Sequence, residues 1–253
     1  MHTYLRTDSL QTMSNQRNMK KRIILAMLCA VTASLAQAQE ETANKEHNTQ
    51  TINVIGDSYV KNHKRPVEET WHYKMAQMLG LKYNNYGRNG ACVAFDRTHD
   101  GKYNFGPAMY AKTHLLDPKA DYVIIIGGHN DAVKVKDNHD SLRMFRDSLR
   151  LLVTHIRTQC PKAQIGYVTP WYCDHEGFKP VCRMIRQVCR EQHIPVLDNY
   201  SRKSVIKVRQ AAFRKKYFQG PSDNAHLNNE GHDLFLPIGK EWFVRNFKER
   251  GKR

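Results

Sequence analysis

The sequence predicts an α/β fold, a three-layer α/β/α sandwich built around a five-stranded parallel sheet. Five short runs with strand character alternate with helical patterns along the chain, as in successive βαβ units. The run at 121–128 is almost continuously apolar, which is typical of a parallel strand covered on both faces. Polar clusters follow three of the runs, and open parallel sheets bind their ligands at such strand ends.

The predicted elements follow one another in regular order. Strands are expected at 52–55, 82–87, 121–128, 164–170 and 195–199. Helices are expected at 66–79, 108–115, 141–158, 181–190 and 230–247. Pro66 suits the start of the first helix and Gly80 its end. Right-handed crossovers between the strands would place helices on both faces of the sheet.

Residues 1–38 have the order of a secretory signal peptide. A basic cluster at 20–22 precedes an apolar stretch that ends in Ala36-Gln37-Ala38. Cleavage is expected after Ala38, with Met19 as an alternative start, so the mature protein is expected in the periplasm or outside the cell. Residues 39–50 would form a flexible polar leader and 51–253 a single domain. No apolar run is long enough to span a membrane.

The chain is strongly basic, with a formal net charge of +16 at pH 7. Residues 1–38 hold five basic residues and one acidic residue, so the remainder keeps +12. Such a surface attracts anions, although solubility alone would also explain it. Segment 201–216 either flanks the active-site mouth or forms a solvated helix elsewhere. Its seven basic residues, with no acidic one, are Arg202, Lys203, Lys207, Arg209, Arg214, Lys215 and Lys216.

Five cysteines follow the predicted signal peptide, and their pairing is open. They contain no C-x-x-C pair and no cluster with zinc-ligand spacing, so neither a metal nor another cofactor is predicted. Cys182 and Cys189 fall in one helical pattern about 10 Å apart, too far for a disulfide. The five are Cys92, Cys160, Cys173, Cys182 and Cys189.

Three residues form a candidate nucleophile, base and orienting acid. The first strand ends in Gly56-Asp57-Ser58, and Asp223 and His226 lie three apart before the last helix. A serine hydroxyl needs a base to take its proton, and His226 could serve with Asp223 fixing its tautomer. Each feature also has a structural alternative, since Gly, Asp and Ser form turns and buried histidines are commonly only hydrogen-bonded.

Candidate donors for an oxyanion lie after three strand ends, including that of Ser58. They are the backbone N–H groups of Ser58 and Gly90 and the side-chain amide of Asn130. Glycine at position 90 allows the backbone to approach a substrate closely.

These clusters resemble the four sequence blocks of the SGNH (GDSL-type) hydrolase superfamily. The blocks read "IGDSY", "GRNGA", "GGHND" and "SDNAHLN", and the likeness spans about 52–247. It implies a flavodoxin-like five-stranded α/β/α sandwich that needs no metal and cleaves acyl esters or thioesters of lipids, sugars or polysaccharides. By the same resemblance Ser58 is the nucleophile, Gly90 and Asn130 are oxyanion donors, and His226 is the base with Asp223 behind it.

Two positions depart from the family pattern. His129 replaces the usual small residue of the third block, and either lines the substrate pocket or points away. Arg88 could contact an anionic substrate or pair with Asp57 or Asp131, and the pairing is favoured. The candidate substrate-binding residues are Arg88, His129 and Asp57.

The expected function is that of a secreted serine esterase that removes acyl groups, acetyl above all, from carbohydrate. The expected partner is a small-molecule or polysaccharide acyl ester, with no nucleic acid, no membrane span and a monomeric state. A lysophospholipase or lipase is one alternative. A glycan-binding module that keeps the fold without activity is another.

Overall fold

The computed structural model describes residues 49–201 and 204–248. The predicted signal peptide, the alternative start at Met19 and nearly all of the predicted leader lie outside the described residues, as do Arg202 and Lys203. Contacts group Gln50–Arg253 into one compact unit. Among the helices of the described residues, none has both the length and the apolar character needed to cross a membrane.

A five-stranded parallel sheet forms the centre of this unit, which confirms the predicted fold class. The strand order is β2-β1-β3-β4-β5, so the first strand lies between the second and the third. The strands are β1 (Thr51–Gly56), β2 (Lys82–Gly87), β3 (Tyr122–Ile126), β4 (Gln164–Val168) and β5 (Val196–Leu197).

Seven α-helices, two 3₁₀ turns and a π-helical turn accompany the sheet in the described residues. The 3₁₀ turns are Val67–Glu69 and Met109–Leu115, and the π turn is Val244–Lys248. The α-helices are α1 (Ser58–Lys61), α2 (Trp71–Met78), α3 (His129–Val135), α4 (His139–Gln159), α5 (Phe178–Glu191), α6 (Ala211–Tyr217) and α7 (Asn229–Phe243).

The helix expected from Pro66 is divided in two. Thr70 interrupts it because its side chain accepts the N–H of Tyr73 and caps α2, while its backbone stays extended. The helix expected at 230–247 likewise changes to π geometry after Phe243. Helices α1 and α3 are too short to show a helical period in the sequence.

The side chains of the strands alternate between two hydrophobic layers, which gives the three-layer architecture. Ile125 of β3 faces the layer that contains Leu152 of α4 and Ile185 of α5. Its neighbour Ile124 faces the other layer, which contains Met75 of α2 and Phe235 of α7. Every residue of β3 is buried, as the continuous apolar run predicts.

The five cysteines are buried free thiols. Cys182 and Cys189 both lie on α5, as the helical pattern predicts. Burial raises the pKa of Cys189 to about 12, so this thiol stays protonated.

Candidate active site

The register of the sheet brings three of the sequence blocks to one edge. Gly56, the last residue of β1, pairs with Gly87 of β2 on one side and with Ile126 of β3 on the other. Ser58, Gly90 and Asn130 therefore follow three adjacent strand ends by two to four residues. The N–H of Arg88 donates to the carbonyl of Gly56 at 3.1 Å, which ties two of these loops together.

Ser58 is held at the start of α1 by a tight turn. Asp57 caps this helix, since its Oδ1 accepts the N–H of Tyr59 at 2.9 Å. A Cβ atom on Gly56 would lie 2.1 Å from the carbonyl oxygen of Ile126, so only glycine fits where the strand passes into the turn. Ser58 itself is 8% exposed. The nucleophile candidate is thus close to the surface on a rigid support.

His226 connects Ser58 to Asp223 through two hydrogen bonds. Its Nε2 lies 2.9 Å from Ser58 Oγ, and its Nδ1 lies 3.0 Å from Asp223 Oδ2. An ionised carboxylate only accepts hydrogen bonds, so Nδ1 carries the hydrogen and Nε2 is left to accept the Ser58 hydroxyl. This is the arrangement in which a histidine can remove a serine proton.

The carboxylate of Asp223 is kept ionised by the donors around it. Burial by itself raises its pKa, but the ring of His226 and the N–H groups of His226 and Ala225 outweigh this effect, so the pKa lies below its ordinary value. The two N–H groups donate to Oδ1 at 2.9 and 2.8 Å. Asp223 therefore stays negative beside the imidazole, where it can stabilise a positive charge.

Gln219 fixes the His226 loop against the Ser58 turn. Its backbone N–H donates to the carbonyl of His226 at 2.9 Å. Its side-chain Nε2 donates to the Asn62 carbonyl at 3.3 Å and to the Leu227 carbonyl at 3.1 Å. Asn62 ends α1, so one side chain bridges two segments that are far apart in the sequence. Nothing in the sequence pattern identifies this glutamine.

His63 stacks on the candidate base. The rings of His63 and His226 are nearly parallel, at 11°, with centroids 4.0 Å apart. Asn62 and His63 both adopt left-handed backbone conformations, at φ 66° and 50°, which turns the His63 ring toward His226. The pKa of His63 is lowered, mainly by burial and next by the neighbouring His226. Sequence reasoning missed this residue because two successive left-handed non-glycine residues leave no sequence signal.

Each candidate oxyanion donor has an N–H hydrogen that is not used in another hydrogen bond within the described residues. Neither the N–H of Ser58 nor that of Gly90 has an acceptor within 49–201 or 204–248. One hydrogen of the Asn130 amide donates to the Ala91 carbonyl at 3.0 Å, which leaves the second one for a ligand. Gly90 is left-handed at φ 73°, and a Cβ there would lie 2.3 Å from the ring of Phe105. Both the conformation and the close contact require glycine.

Two buried carboxylates support the strand ends from inside. Asp131 accepts the N–H groups of Val93 and Ala94, each at 2.9 Å, and so holds the loop after Gly90. Burial raises the pKa of Asp131 to about 6 and that of Asp57 to about 7. Asp57 has no exposed surface and its Oδ2 has no partner among the described residues. Its place is that of a helix cap, not the substrate contact expected from the sequence.

The other two candidate substrate contacts are engaged with the protein. The guanidinium of Arg88 donates to the backbone and side-chain oxygens of Asn104, both at 3.1 Å, so the favoured pairing with Asp57 or Asp131 does not form. His129 Nδ1 lies 2.8 Å from the hydroxyl of Tyr59. Burial lowers the pKa of His129 to about 4, so its ring is neutral near pH 7.

A stacked aromatic pair lies beneath the site. The ring of Tyr59, the residue after Ser58, lies parallel to that of Trp171 with centroids 4.0 Å apart. The loop after β4 is thereby fixed beside the Ser58 turn. In the described part of the chain no three His, Cys, Asp or Glu side chains are grouped closely enough to hold a metal ion.

Several solved structures share this fold. A Lactobacillus plantarum protein is 19% identical, with a TM-score of 0.64 over 79% of this chain and 98% of its own. A candidate arylesterase from Agrobacterium tumefaciens is 20% identical, with a TM-score of 0.58 over 79% and 100%. A family two carbohydrate esterase from Clostridium thermocellum is 13% identical, with a TM-score of 0.56 over 78% and 64%.

No curated protein matches the chain significantly. Residues 54–234 match the GDSL-like lipase/acylhydrolase family, and this range includes all four sequence blocks. The chain therefore belongs to the GDSL-like lipase/acylhydrolase family.

Proposed function

We propose that this protein is an exported serine esterase that hydrolyses O-acyl esters, O-acetyl above all, on carbohydrate. One observation carries the proposal, namely the unbroken series of hydrogen bonds from Asp223 through His226 to Ser58. Export is inferred from residues 1–38 of the sequence alone. Family membership supplies the general class of reaction, the hydrolysis of acyl bonds.

In the first half of the proposed reaction, Ser58 takes the acyl group. Ser58 Oγ attacks the carbonyl carbon as its proton passes to His226 Nε2. Asp223 stabilises the imidazolium, and the N–H groups of Ser58 and Gly90 with the amide of Asn130 receive the oxyanion. The carbon–oxygen bond to the sugar then breaks, and His226 returns the proton to the leaving oxygen. The products are a sugar hydroxyl and an acyl group on Ser58.

In the second half, water removes the acyl group. His226 takes a proton from a water molecule, whose oxygen attacks the acyl carbonyl carbon. The same donors stabilise the second oxyanion. Collapse of this intermediate returns the proton from His226 to Ser58 Oγ and releases the carboxylic acid. No metal or organic cofactor takes part in these steps.

Polar surroundings favour a short acyl group over a long one. The residues on either side of Asp223 are the exposed Ser222 and Asn224, and segment 201–216 is basic. A lipase needs a large apolar surface to hold a fatty chain. A carbohydrate esterase with the same fold shows that this scaffold is compatible with esters of sugars. The fold does not separate this proposal from the lysophospholipase or lipase alternative, because the family includes GDSL-like lipases, so the preference rests on the polar residues beside Asp223.

A glycan-binding module without activity is the alternative of a different class. Binding alone does not require a base placed within hydrogen-bond distance of a serine hydroxyl, with a carboxylate behind it. The geometry of Ser58, His226 and Asp223 therefore favours the enzyme.

The acyl preference can be measured with p-nitrophenyl esters of increasing chain length. We expect kcat/KM to be highest for the acetate and to fall toward the octanoate, because the described surface beside Asp223 is polar. Acetylated and deacetylated forms of one glycan provide the matched test for a sugar ester. Faster cleavage of the octanoate than of the acetate would contradict the deacetylase proposal and favour a lipase.

Asn130→Ala should lower kcat by about 10²–10³, the usual loss on removal of one oxyanion donor. KM should change little, because the donor acts mainly in the transition state. Asn138→Ala, which removes the amide that caps α4, is the matched control and should keep the wild-type kcat. A rise in KM at unchanged kcat would instead identify Asn130 as a ground-state binding residue.

His63→Ala should lower kcat by about 2- to 10-fold, because a ring contact of this kind contributes about 0.5–1.5 kcal/mol. His63→Phe keeps a flat ring against His226 and should retain most of the turnover. Steady-state kinetics on p-nitrophenyl acetate measures both variants. Wild-type kcat in the alanine variant would show that the stacked ring does not position His226.

A further inference from the structure

A basic pocket opens along α5. Its volume is about 570 Å³, and none of the described residues that line it is acidic. It lies between α5 and residues 204–210, which belong to the basic segment identified in the sequence. Five of its lining residues are basic: Lys179, Arg183, Arg186, Lys207 and Arg209.

Three of these cations have no carboxylate partner among residues 49–201 and 204–248. Arg186 pairs with Asp198 at 3.0 Å, and Arg209 pairs with Asp174 at 3.2 Å. Lys179, Arg183 and Lys207 make no ion pair within the described residues, and all three are exposed. The pocket therefore presents positive charge that the protein itself does not neutralise.

A second cavity connects this pocket to the loop that carries Asp223 and His226. It measures about 660 Å³ and shares Val208 and Arg209 with the basic pocket. Ser222 and Asn224 also line it, and these are the residues on either side of Asp223. Arg214 adds a positive charge to its wall, and Asp174, the ion-pair partner of Arg209, is the one acidic residue among its described lining residues.

The aromatic pair under the active site gives a second connection. Trp171 stacks on Tyr59, the residue that follows Ser58. The next residue, Tyr172, lines the basic pocket. The Tyr59–Trp171 stack thus links the Ser58 turn to the segment that carries Tyr172 into the pocket wall.

We propose that the two cavities form one groove that binds an acidic polysaccharide and presents an ester on that chain to Ser58. The groove requires anionic groups at intervals along the ligand, either carboxylates or sulfates. An acidic polysaccharide is thus the substrate class of the proposed esterase. Only the presentation of an ester to Ser58 rests on that proposed function. Binding of the acidic chain itself depends on Lys179, Arg183 and Lys207.

The shape and lining of the groove favour a glycan over a membrane surface. A peripheral membrane site combines basic residues with exposed apolar side chains that enter the lipid. None of the large apolar side chains that are exposed in the described residues lines either cavity. The basic pocket is concave and contains the rings of Tyr172 and Tyr200, with centroids 5.3 Å apart. Arg209 lies over the ring of Tyr172, 4.1 Å from its centroid, so this wall of the pocket is cationic as well as aromatic.

The test is a binding titration with the Ser58→Ala protein, in which turnover cannot interfere. The probes are polygalacturonate, chondroitin sulfate and a neutral galactan of similar length. We expect the two acidic chains to bind, with a Kd that rises with salt, and the galactan to bind at least about 10-fold more weakly. The two acidic probes separate a preference for carboxylate from one for sulfate.

Paired substitutions locate the binding. Lys179→Gln/Arg183→Gln should raise the Kd for the acidic chain by at least about 5-fold, since two exposed charge contacts are lost. Lys179→Arg/Arg183→Lys keeps both charges and should retain the affinity. Lys162→Gln/Arg190→Gln removes the same charge from exposed positions that line neither cavity, and should leave the Kd unchanged.

An equal loss of affinity in Lys179→Gln/Arg183→Gln and Lys162→Gln/Arg190→Gln would overturn the proposal, because net charge alone would then explain binding. So would binding to vesicles of phosphatidylglycerol and phosphatidylcholine that depends on Lys179 and Arg183 and that polygalacturonate does not displace. Failure of the esterase proposal is distinguishable. If the protein binds the acidic chain but cleaves no ester, the groove proposal stands and the esterase proposal fails. If it cleaves acetate esters but binds no acidic chain, the esterase proposal stands and the groove proposal fails.

Discussion

The hydrogen bond between Ser58 and His226 joins the beginning and the end of the domain, and the rest of the site depends on it. The two residues are 168 positions apart, yet Oγ and Nε2 lie 2.9 Å from each other. No local preference of the chain can produce that distance. It results from β1, which lies between β2 and β3 and presents Ser58, and from Gln219, which ties the His226 loop to the end of α1.

Two buried carboxyl groups hold the backbone around Ser58 in place. Asp57 caps the turn that carries Ser58, and Asp131 holds the loop that carries Gly90. Burial raises the pKa of both carboxyl groups, to about 7 and about 6, which is the expected cost of taking a carboxylate out of water. Asp223 differs because three donors around it outweigh burial. Asp57 and Asp131 thus hold backbone in place, whereas Asp223 remains charged beside His226.

The strands and the three residues of the hydrogen-bonded series could be predicted because each has a local signal. Apolar runs mark β1 and β3. Gly56 marks the point where β1 passes into a turn in which a side chain would not fit. The position of His63 could not be predicted, since it depends on two left-handed residues that are not glycine. The expected pairing of Arg88 was wrong for a related reason. Its partner Asn104 lies in a loop without periodicity, and only the folded chain brings them together.

The central claim is that His226 activates Ser58 and no other serine. The most direct measurement is labelling of the folded protein with a fluorophosphonate, followed by peptide mass spectrometry to locate the adduct. We expect one phosphonyl group on Ser58 in the wild-type protein and a loss of labelling in His226→Ala. An adduct on another serine, such as the exposed Ser222 beside Asp223, or undiminished labelling of Ser58 in His226→Ala, would contradict the account.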